Sequence, residues 1–252
     1  LPLELNGQQA VASASIGIAQ GSDHYDAADD ILRDADIAMY RAKAKGKAGR
    51  VIFDRSMHLR AVARMKLESD LRLAALREEF RLHYQPIVSL RTGRIIGFEA
   101  LARWQHPERG LVPPDEFIPV LEETGLILSV GMWVIREATK QLQRWHAEFR
   151  STPPLTMSVN LSCRQFFQPD LVAQVERVLN ELGMDAGCLH MEVTESVVME
   201  RGEAAPAALA RLSALGVRLA MDDFGKGYSS LSDLHQLPFD TLKIDRSFVG
   251  RP

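Results

Sequence analysis

Cysteine is scarce in this sequence of 252 residues, which contains only Cys163 and Cys188. So small a number excludes a disulfide scaffold and a thiolate metal cluster. An excess of charge of one sign is lacking as well, because 30 basic side chains face 33 acidic ones and leave a formal net charge of −3. On these global electrostatic grounds we expect no nucleic-acid polymer as a partner.

Long apolar runs are also missing. The longest stretch, from Gly125 to Ile135, is interrupted and too short to cross a bilayer. The chain starts at Leu1 with neither the charged region nor the apolar region of a secretion signal. These absences predict a cytoplasmic, reducing location, and they leave open whether a longer parent protein is attached to a membrane.

The first part of the chain predicts an incomplete domain. Short strands at 13–19 and 51–53 flank a helical spacing over residues 26–45. The predicted apolar face of that helix consists of Leu32, Ala35, Met39 and Ala42. Three such elements cannot enclose a core of their own. A charged helix over residues 60–80 follows, and its composition fits a signalling connector and a simple linker helix equally well.

From residue 82 onward, strand and helix patterns alternate. The strands predicted at 82–90 and 94–103 flank an Arg-Thr-Gly turn and should form an antiparallel hairpin. Later strands are expected at 155–161, 189–194, 217–222 and 240–245. Repeated strand–helix units of this kind predict an α/β fold, in which a mainly parallel sheet is covered by helices.

Polar side chains collect where these strands end. Glu99, Leu101 and Arg103 alternate along one strand and therefore share a face. Later strands contribute Asn160, Glu192, Asp222, Asp223, Lys243 and Asp245. In barrels and open α/β sheets, the carboxyl ends of parallel strands meet at one rim, where active sites lie.

The acids at this rim predict a metal site. A single acid after a strand usually caps the next helix. Glu99 and Glu192 differ because they lie among strand apolar residues, where an ionised carboxylate is costly unless a cation compensates it. Lys243 and Arg103 look insufficient for that purpose. A set of oxygen donors without clustered histidine favours Mg²⁺ or Mn²⁺, and two such ions suit phosphodiester cleavage.

Six short motifs occur in a fixed order across residues 82–249. They are Tyr84-Gln85-Pro86-Ile87-Val88, Glu99-Ala100-Leu101 with Arg103, Val159-Asn160-Leu161-Ser162, Glu192-Val193-Thr194-Glu195-Ser196, Asp222-Asp223-Phe224-Gly225 and Leu242-Lys243-Ile244-Asp245. Together they resemble the EAL domain family of cyclic di-GMP phosphodiesterases, which act in bacterial second-messenger signalling. The resemblance implies a TIM-barrel-like fold with one antiparallel strand and hydrolysis of cyclic di-GMP to linear pGpG.

The resemblance also implies a role for each motif residue. The first metal ion would be held by Glu99, Asn160, Glu192 and Asp222. The second ion would be held by Asp222 and Asp223, and Lys243 would assist the attacking water. Glu195 matches the glutamate that positions the loop at 224–230. Positions that match substrate contacts are Gln85, Leu101, Arg103 and Asp245, of which Arg103 could grip a phosphate.

The sequence departs from the family pattern in two places. Lys226 replaces the small residue usual in that loop and would add a cation beside the metal ions. The pattern also normally continues with an Ala-Glu-Gly-Val-Glu segment and a final Gln, and neither occurs here. We therefore expect an EAL-like domain at 81–252 that lacks its last strand–helix units, an open barrel, and impaired activity if this chain is the whole molecule.

A second resemblance covers the start of the chain. It rests on Ala14-Ser15-Ile16-Gly17-Ile18-Ala19, Asp34-Ala35-Asp36-Ile37-Ala38-Met39-Tyr40, and Ala42-Lys43 with Gly46-Lys47. These segments resemble the C-terminal end of a GGDEF (diguanylate cyclase) domain, which implies a remnant at 1–55 and a connector helix at 56–80. The Gly-Gly-Asp-Glu-Phe signature is absent, so no cyclase activity is expected. EAL domains often dimerise, so a homodimer is a further family expectation.

Three functions fit the residues at this point. The first is a metal-dependent cyclic di-GMP phosphodiesterase, because the chain retains every metal ligand that its length can contain. The second is a non-catalytic module that binds cyclic di-GMP, although such domains usually lose some ligands. The third is an unrelated metal-dependent barrel hydrolase, which acids at strand ends alone would permit.

Overall fold

The computed structural model describes residues 2–5, 8–11, 13–21, 25, 27–44, 48–200, 204–225 and 237–248. The chain divides into two compact units, Leu1–Asp70 and Leu71–Pro252. Within the described ranges, no helix has both the length and the apolar character that crossing a membrane requires.

Within its described residues, the first unit contains two pairs of short strands, a helix between the two strands of the second pair, and most of a second helix. Strands β1 (Pro2–Leu5) and β2 (Gln8–Val11) pair in antiparallel fashion, and β3 (Ile16–Ile18) runs parallel to β4 (Arg50–Ile52). Helix α1 (Ala28–Ala44) connects the parallel pair. Acidic residues in its first turn and basic residues in its last turn complement the helix dipole.

The predicted apolar face of α1 is partly wrong. The buried residues of the helix are Asp34, Ala38 and Ala42, whereas Leu32 is 63% exposed. The reason is the close approach of the helix to β3, because a Cβ at Gly17 would lie 2.0 Å from the carbonyl oxygen of Ala35. An interface this tight is filled by small side chains, and Leu32 points away from it.

Helix α2 spans Arg55–Ala74, so it begins and ends earlier than the predicted 60–80. Asp54 explains the start, because its carboxylate accepts the Met57 N–H at 3.2 Å as a helix cap does. Glu78 explains the end, because its φ of 54° is left-handed backbone that no helix continues through.

The second unit is built on a sheet that has seven strands within the described residues. Strand β5 (Phe80–Val88) pairs antiparallel with β6 (Ile95–His106), as the predicted hairpin requires, and the short β7 (Gly110–Val112) adds to β6. The parallel strands that follow are β8 (Thr156–Asn160), β9 (Leu189–Thr194), β10 (Arg218–Phe224) and β11 (Thr241–Ile244). Their order is β11-β10-β9-β8-β6-β5, which confirms the predicted mixed α/β fold with an antiparallel opening strand.

Helices cover one face of this sheet. They are α3 (Pro114–Thr124), α4 (Ile127–Glu148), α5 (Cys163–Phe166), α6 (Leu171–Leu182), α7 (Glu195–Glu200) and α8 (Ala204–Ala214). Gly125, whose φ of 81° is left-handed backbone, ends α3 and separates it from α4. The last residue of the predicted helical spacing, Lys45, lies outside the described residues, as do residues 226–236.

Side chains that alternate along each strand separate the hydrophobic core from a polar face of the sheet. Met157 and Val159 are fully buried in the hydrophobic core together with Met191 and Val193. Their alternate neighbours project from the opposite face of the sheet. The same alternation that forms the core therefore presents a row of polar side chains on the other face.

Candidate active site

The strand register places four of the predicted site residues next to one another. Glu99 on β6 lies opposite Gln85 on β5 and beside Ser158 on β8. Two residues further along β8, Asn160 lies beside Glu192 of β9. Residues in neighbouring register positions on one face of a sheet are within contact distance of long side chains. The central strands alone therefore bring together two carboxylates and two amides.

Lys243 of β11 reaches into the centre of this group. Its Nζ donates to Glu99 Oε2 at 2.9 Å and to Glu192 Oε2 at 2.5 Å, and it lies 3.9 Å from Asp222 Oδ1. Asn160 donates its side-chain amide to the other oxygen of Glu99 at 2.8 Å. We name Glu99, Asn160, Glu192, Asp222 and Lys243 the acid cluster. The structure thus gathers all four residues predicted for the first metal ion around one ammonium group.

Burial makes the charges of the acid cluster costly. The Glu192 side chain is 1% exposed, and this burial raises the pKa of its carboxyl, against the lowering effect of the Lys243 hydrogen bond. Burial by itself lowers the pKa of Lys243, but the bonds and charges of Glu192 and Glu99 more than offset it, so that pKa is raised overall. The opposite charge beside each group therefore counteracts the effect of burial on its pKa.

Sequence reasoning missed Ser158. This residue is 2% exposed and a hydrogen bond from its side chain helps to lower the pKa of Glu192. The available signal was its spacing, since Ser158 stands two residues before Asn160 and therefore on the same face of β8.

The oxygen atoms of the acid cluster are of the chemical type that binds a divalent cation. Three carboxylates and one amide are the oxygen donors that Mg²⁺ and Mn²⁺ prefer. Within the described part of the chain, however, no three His, Cys, Asp or Glu side chains are arranged to hold a metal ion. The contacts explain this, because the carboxylates are spaced around the Lys243 ammonium.

Arg103 contributes no charge to the acid cluster. Its Nη1 donates to the carbonyl oxygen of Ala102 at 2.8 Å, although Arg103 stands on the same face of β6 as Glu99. Three carboxylates against one ammonium therefore leave a formal excess of two negative charges. That excess is the electrostatic feature which attracts a cation.

The backbone after Asp222 is held in an unusual shape. Asp223 has a φ of 56°, and its N–H donates to Asp222 Oδ1 at 2.9 Å. Glu195, which is 3% exposed, accepts the Gly225 N–H at 3.1 Å through Oε2. Gly225 has a φ of 99°, and a Cβ there would lie 2.7 Å from the Phe248 ring. Lys226 and the loop after it lie outside the described residues.

The remaining predicted residues lie on strands, or directly after one, at the edge of the site. In the antiparallel pair of β5 and β6, Gln85 lies opposite Glu99. Leu101 lies opposite His83. Asp245, which is 8% exposed, accepts the Ser247 N–H at 2.9 Å and thereby caps the 3₁₀ turn at Arg246–Phe248.

Parallel strands whose carboxyl ends form an acid-lined rim define an α/β protein with its candidate site where barrel and open-sheet folds place theirs. The family model of the EAL domain matches residues 68–251, and that of the diguanylate cyclase, GGDEF domain matches residues 1–49. The chain therefore belongs to the EAL domain family. Membership in this family removes the interpretation of an unrelated barrel hydrolase.

Two named relatives are similar to this sequence. A bifunctional diguanylate cyclase/cyclic di-GMP phosphodiesterase, MucR of Pseudomonas aeruginosa, is 41% identical over 99% of this chain and 36% of its own length. The cyclic di-GMP phosphodiesterase PdeR of Escherichia coli is 38% identical over 99% of this chain and 37% of its own length. The chain thus spans about a third of the length of the curated relatives it matches.

A solved structure shares the fold of the second unit. The phosphodiesterase of MucR from Pseudomonas aeruginosa, in a complex with cyclic di-GMP, superposes with a TM-score of 0.70 at 44% sequence identity. The match covers 73% of this chain and 74% of that one.

Proposed function

We propose that this protein hydrolyses cyclic di-GMP to linear pGpG at the acid cluster. The observation that carries the proposal is the convergence of Glu99, Glu192 and Asp222 on one point at the rim of the sheet. Membership in the EAL family and relatives named as cyclic di-GMP phosphodiesterases support the choice of substrate. Hydrolysis adds one water across one of the two phosphodiester bonds and opens the ring.

The proposal includes divalent metal ions, either Mg²⁺ or Mn²⁺. One ion would be held by Glu99, Asn160, Glu192 and Asp222, and a second by Asp222 and Asp223. Such ions, when bound, supply a Lewis acid for the phosphate and a nucleophile at neutral pH. The excess of negative charge in the acid cluster supports this assignment, because it is costly without a further cation.

The residues around the acid cluster would bind and orient the substrate. Gln85 would contact a bound nucleotide through its amide, a role that its position opposite Glu99 on the neighbouring strand supports. Arg103 lies two residues beyond Leu101 on the same face, where its guanidinium can meet a phosphate with two parallel hydrogen bonds. The anchoring bond from Gly225 to Glu195 would keep Asp222 and Asp223 in place during turnover.

A second candidate function is binding of cyclic di-GMP without hydrolysis. The observation that favours it is Lys243, whose ammonium takes the centre of the acid cluster. A domain that retained this ion pair permanently would offer its rim to the nucleotide but would exclude the metal ions. We rank this function second because Glu99, Asn160, Glu192 and Asp222 are all present.

The test is formation of pGpG from cyclic di-GMP by the protein with Mg²⁺ or Mn²⁺. Glu99→Gln should reduce the rate by at least about a hundredfold, since even the outer-shell partners of metal ligands cost about 10–100-fold when they are mutated. The matched control is Glu181→Gln, which neutralises an exposed glutamate paired with Arg136 and should leave the rate unchanged. Binding of cyclic di-GMP by calorimetry without any pGpG would establish the second candidate instead.

Two further parts of the proposal concern organisation. We assign residues 1–55 to part of a GGDEF domain and residues 56–80 to the connector that follows it. We also propose a homodimer through the EAL unit, which the mass of the protein in solution would test.

A further inference from the structure

We propose that Gln165 is a positioning residue for the acid cluster, which acts through Ser162 on the turn that carries Asn160. The inference deepens the proposed function and rests on it, because Asn160 is one of the residues assigned there to the first metal ion. Gly131 of α4 takes part, since the lack of a side chain at that position leaves the space that the Gln165 amide fills.

The connection between β8 and α5 is short. Asn160 ends β8 and Cys163 begins α5, so that Leu161 and Ser162 alone lie between them. The Leu161 N–H donates to the carbonyl oxygen of Glu192 at 2.9 Å, which ties the connection to β9. The orientation of Asn160 therefore depends on how Ser162 is held at the other end of this connection.

Gln165 holds Ser162 through both its side chain and its backbone. Its Oε1 accepts the Ser162 N–H at 3.3 Å and the Ser162 hydroxyl at 2.9 Å, and its own N–H donates to Ser162 Oγ at 3.3 Å. Such a reciprocal pair is a capping box, which satisfies the free N–H groups where a chain enters a helix. Because the Ser162 N–H requires an acceptor, these bonds also determine which end of the amide faces Ser162.

Gly131 keeps the amide in this place. The Gln165 side chain is 2% exposed, and a Cβ at Gly131 would lie 1.9 Å from its Nε2, 2.2 Å from its Cδ and 2.5 Å from its Oε1. The whole amide group thus occupies the space of a side chain at position 131. Glycine in a helix interior is less favourable than alanine. The contact with Gln165 accounts for a glycine at a point where α4 alone would favour alanine.

The oxygen is the part of the amide that the fold uses. Among the described residues, the buried Gln165 Nε2 has no hydrogen-bond partner. An unpaired buried donor destabilises a fold. A side chain with a purely stabilising role would avoid this cost, so we attribute the presence of Gln165 to the position that its oxygen gives to Ser162.

The first test is an NMR measurement of the Asn160 side-chain amide, whose signals are assigned by their loss in Asn160→Asp. In the unaltered protein, the bond to Glu99 at 2.8 Å should separate these signals from those of an exposed asparagine. Gln165→Met keeps the length of the side chain but removes the acceptor, so it should move the signals toward exposed values. Gln165→Glu restores the acceptor in the Ser-x-x-Glu form of the capping box, and it should return them.

Gly131→Ala is a second variant that leaves both residues of the capping box unaltered. Its methyl group would displace the amide, so the Asn160 signals should shift as in Gln165→Met, even though alanine favours the helix. Thr139→Val is the matched control, because Thr139 is 1% exposed on the same helix and its hydroxyl donates to the Ile135 carbonyl oxygen within α4. It should lower the Tm and leave the Asn160 signals unchanged.

Turnover of cyclic di-GMP supplies the second test. Gln165→Met should lower kcat about tenfold with little change in KM, since outer-shell partners of a metal site cost about 10–100-fold when they are mutated. Gln165→Glu should recover most of that loss, and Thr139→Val should keep the kcat of the unaltered protein.

The outcomes separate this inference from the proposed function. An unaltered protein that forms no pGpG would remove the proposed function, while the NMR comparison would still decide whether Gln165 orients Asn160. Asn160 signals that stay unchanged in Gln165→Met and in Gly131→Ala would overturn the positioning role. An equal loss of kcat in Gln165→Met and Gln165→Glu would overturn it as well, because the acceptor would then make no difference.

Discussion

Two buried carboxylates, one in each unit, are compensated in opposite ways. Asp34 on α1 is 6% exposed and receives the Tyr25 hydroxyl at 3.1 Å and the Arg33 Nε at 3.3 Å, with His58 Nδ1 at 4.0 Å. Several donors thus serve one acid. Glu192 on β9 is 2% exposed and shares the single ammonium of Lys243 with two further acids.

The comparison shows that burial by itself does not distinguish a structural acid from a functional one. The informative quantity is the balance between carboxylates and the donors that they contact. Where donors exceed acids, as at Asp34, the charge is satisfied within the fold. Where acids exceed cations, as around Glu192, the fold carries an uncompensated charge, which is typical of sites that bind a cation or perform chemistry.

The largest expected effect is on pGpG formation, when Glu192 and Asp34 are neutralised in separate variants. Glu192→Gln should lower pGpG formation at least about a hundredfold, because a metal-binding group is lost. Its Tm in EDTA should not fall, since the substitution relieves repulsion among like charges. Asp34→Asn should leave pGpG formation intact and lower the free energy of unfolding by about 1–3 kcal/mol, because charged hydrogen bonds are weakened.

Turnover assays and thermal melts of the two variants provide the measurements. The comparison fails if Asp34→Asn costs as much activity as Glu192→Gln, or if Glu192→Gln destabilises the metal-free protein more than Asp34→Asn does.

A smaller effect is expected from two glycines that share a backbone conformation. Gly225 has a φ of 99° and Gly216 a φ of 94°. Gly225→Ala would place a Cβ 2.7 Å from the Phe248 ring, whereas Gly216→Ala would meet only the Ala186 Cβ at 3.3 Å. Both substitutions should cost about 1–2 kcal/mol of stability from backbone strain.

Only Gly225→Ala should also reduce turnover, because the Gly225 N–H is the group that Glu195 anchors beside Asp223. We expect a loss of about tenfold in kcat with little change in the control, measured by steady-state hydrolysis together with thermal melts. Equal activity in the two variants would show that the anchored backbone has no part in the site.

The arrangement of elements in the second unit was predictable because its signals are local. The strand predicted at 189–194 coincides with β9, and the hairpin is where the Arg-Thr-Gly turn required it. The motif residues Glu99, Asn160 and Glu192 are brought together by strand register alone. Alternation along each strand, together with parallel order, determines that outcome.

Other features depend on distances that a sequence does not contain. The exposure of Leu32 follows from the close packing of α1 on Gly17. Helical periodicity in the sequence gives no information about this distance. The position of the Lys243 ammonium depends on side-chain torsions, so a lysine predicted to assist catalysis was not predicted as the partner of Glu192. Ser158 was missed because a buried hydroxyl in a strand carries no sequence signature of its own.

The smallest effect concerns Asp240, which tests the comparison within the second unit itself. Its carboxylate accepts the Arg218 guanidinium at 2.5 Å and the Leu219 N–H at 2.9 Å, so two donors serve one acid as at Asp34. Burial raises the pKa of Asp240, but the bonds from Leu219 and Arg218 outweigh it and lower that pKa overall. The carboxylate therefore stabilises the fold above its ordinary pKa of about 3.9, and this contribution is lost as the pH falls through the lower value of the folded state.

Asp240→Asn should accordingly reduce the free energy of unfolding at pH 7 by about 1 kcal/mol or less, because solvent screens a pair this exposed. Urea titrations of both proteins should show that the difference narrows below about pH 4, while pGpG formation at pH 7 stays unchanged. A difference that persists at low pH would mean that the bond geometry rather than the charge of Asp240 stabilises the link between β10 and β11. A loss of turnover would mean that a carboxylate with an excess of donors can still belong to the active site. The balance of acids and donors would then not distinguish structural from functional carboxylates.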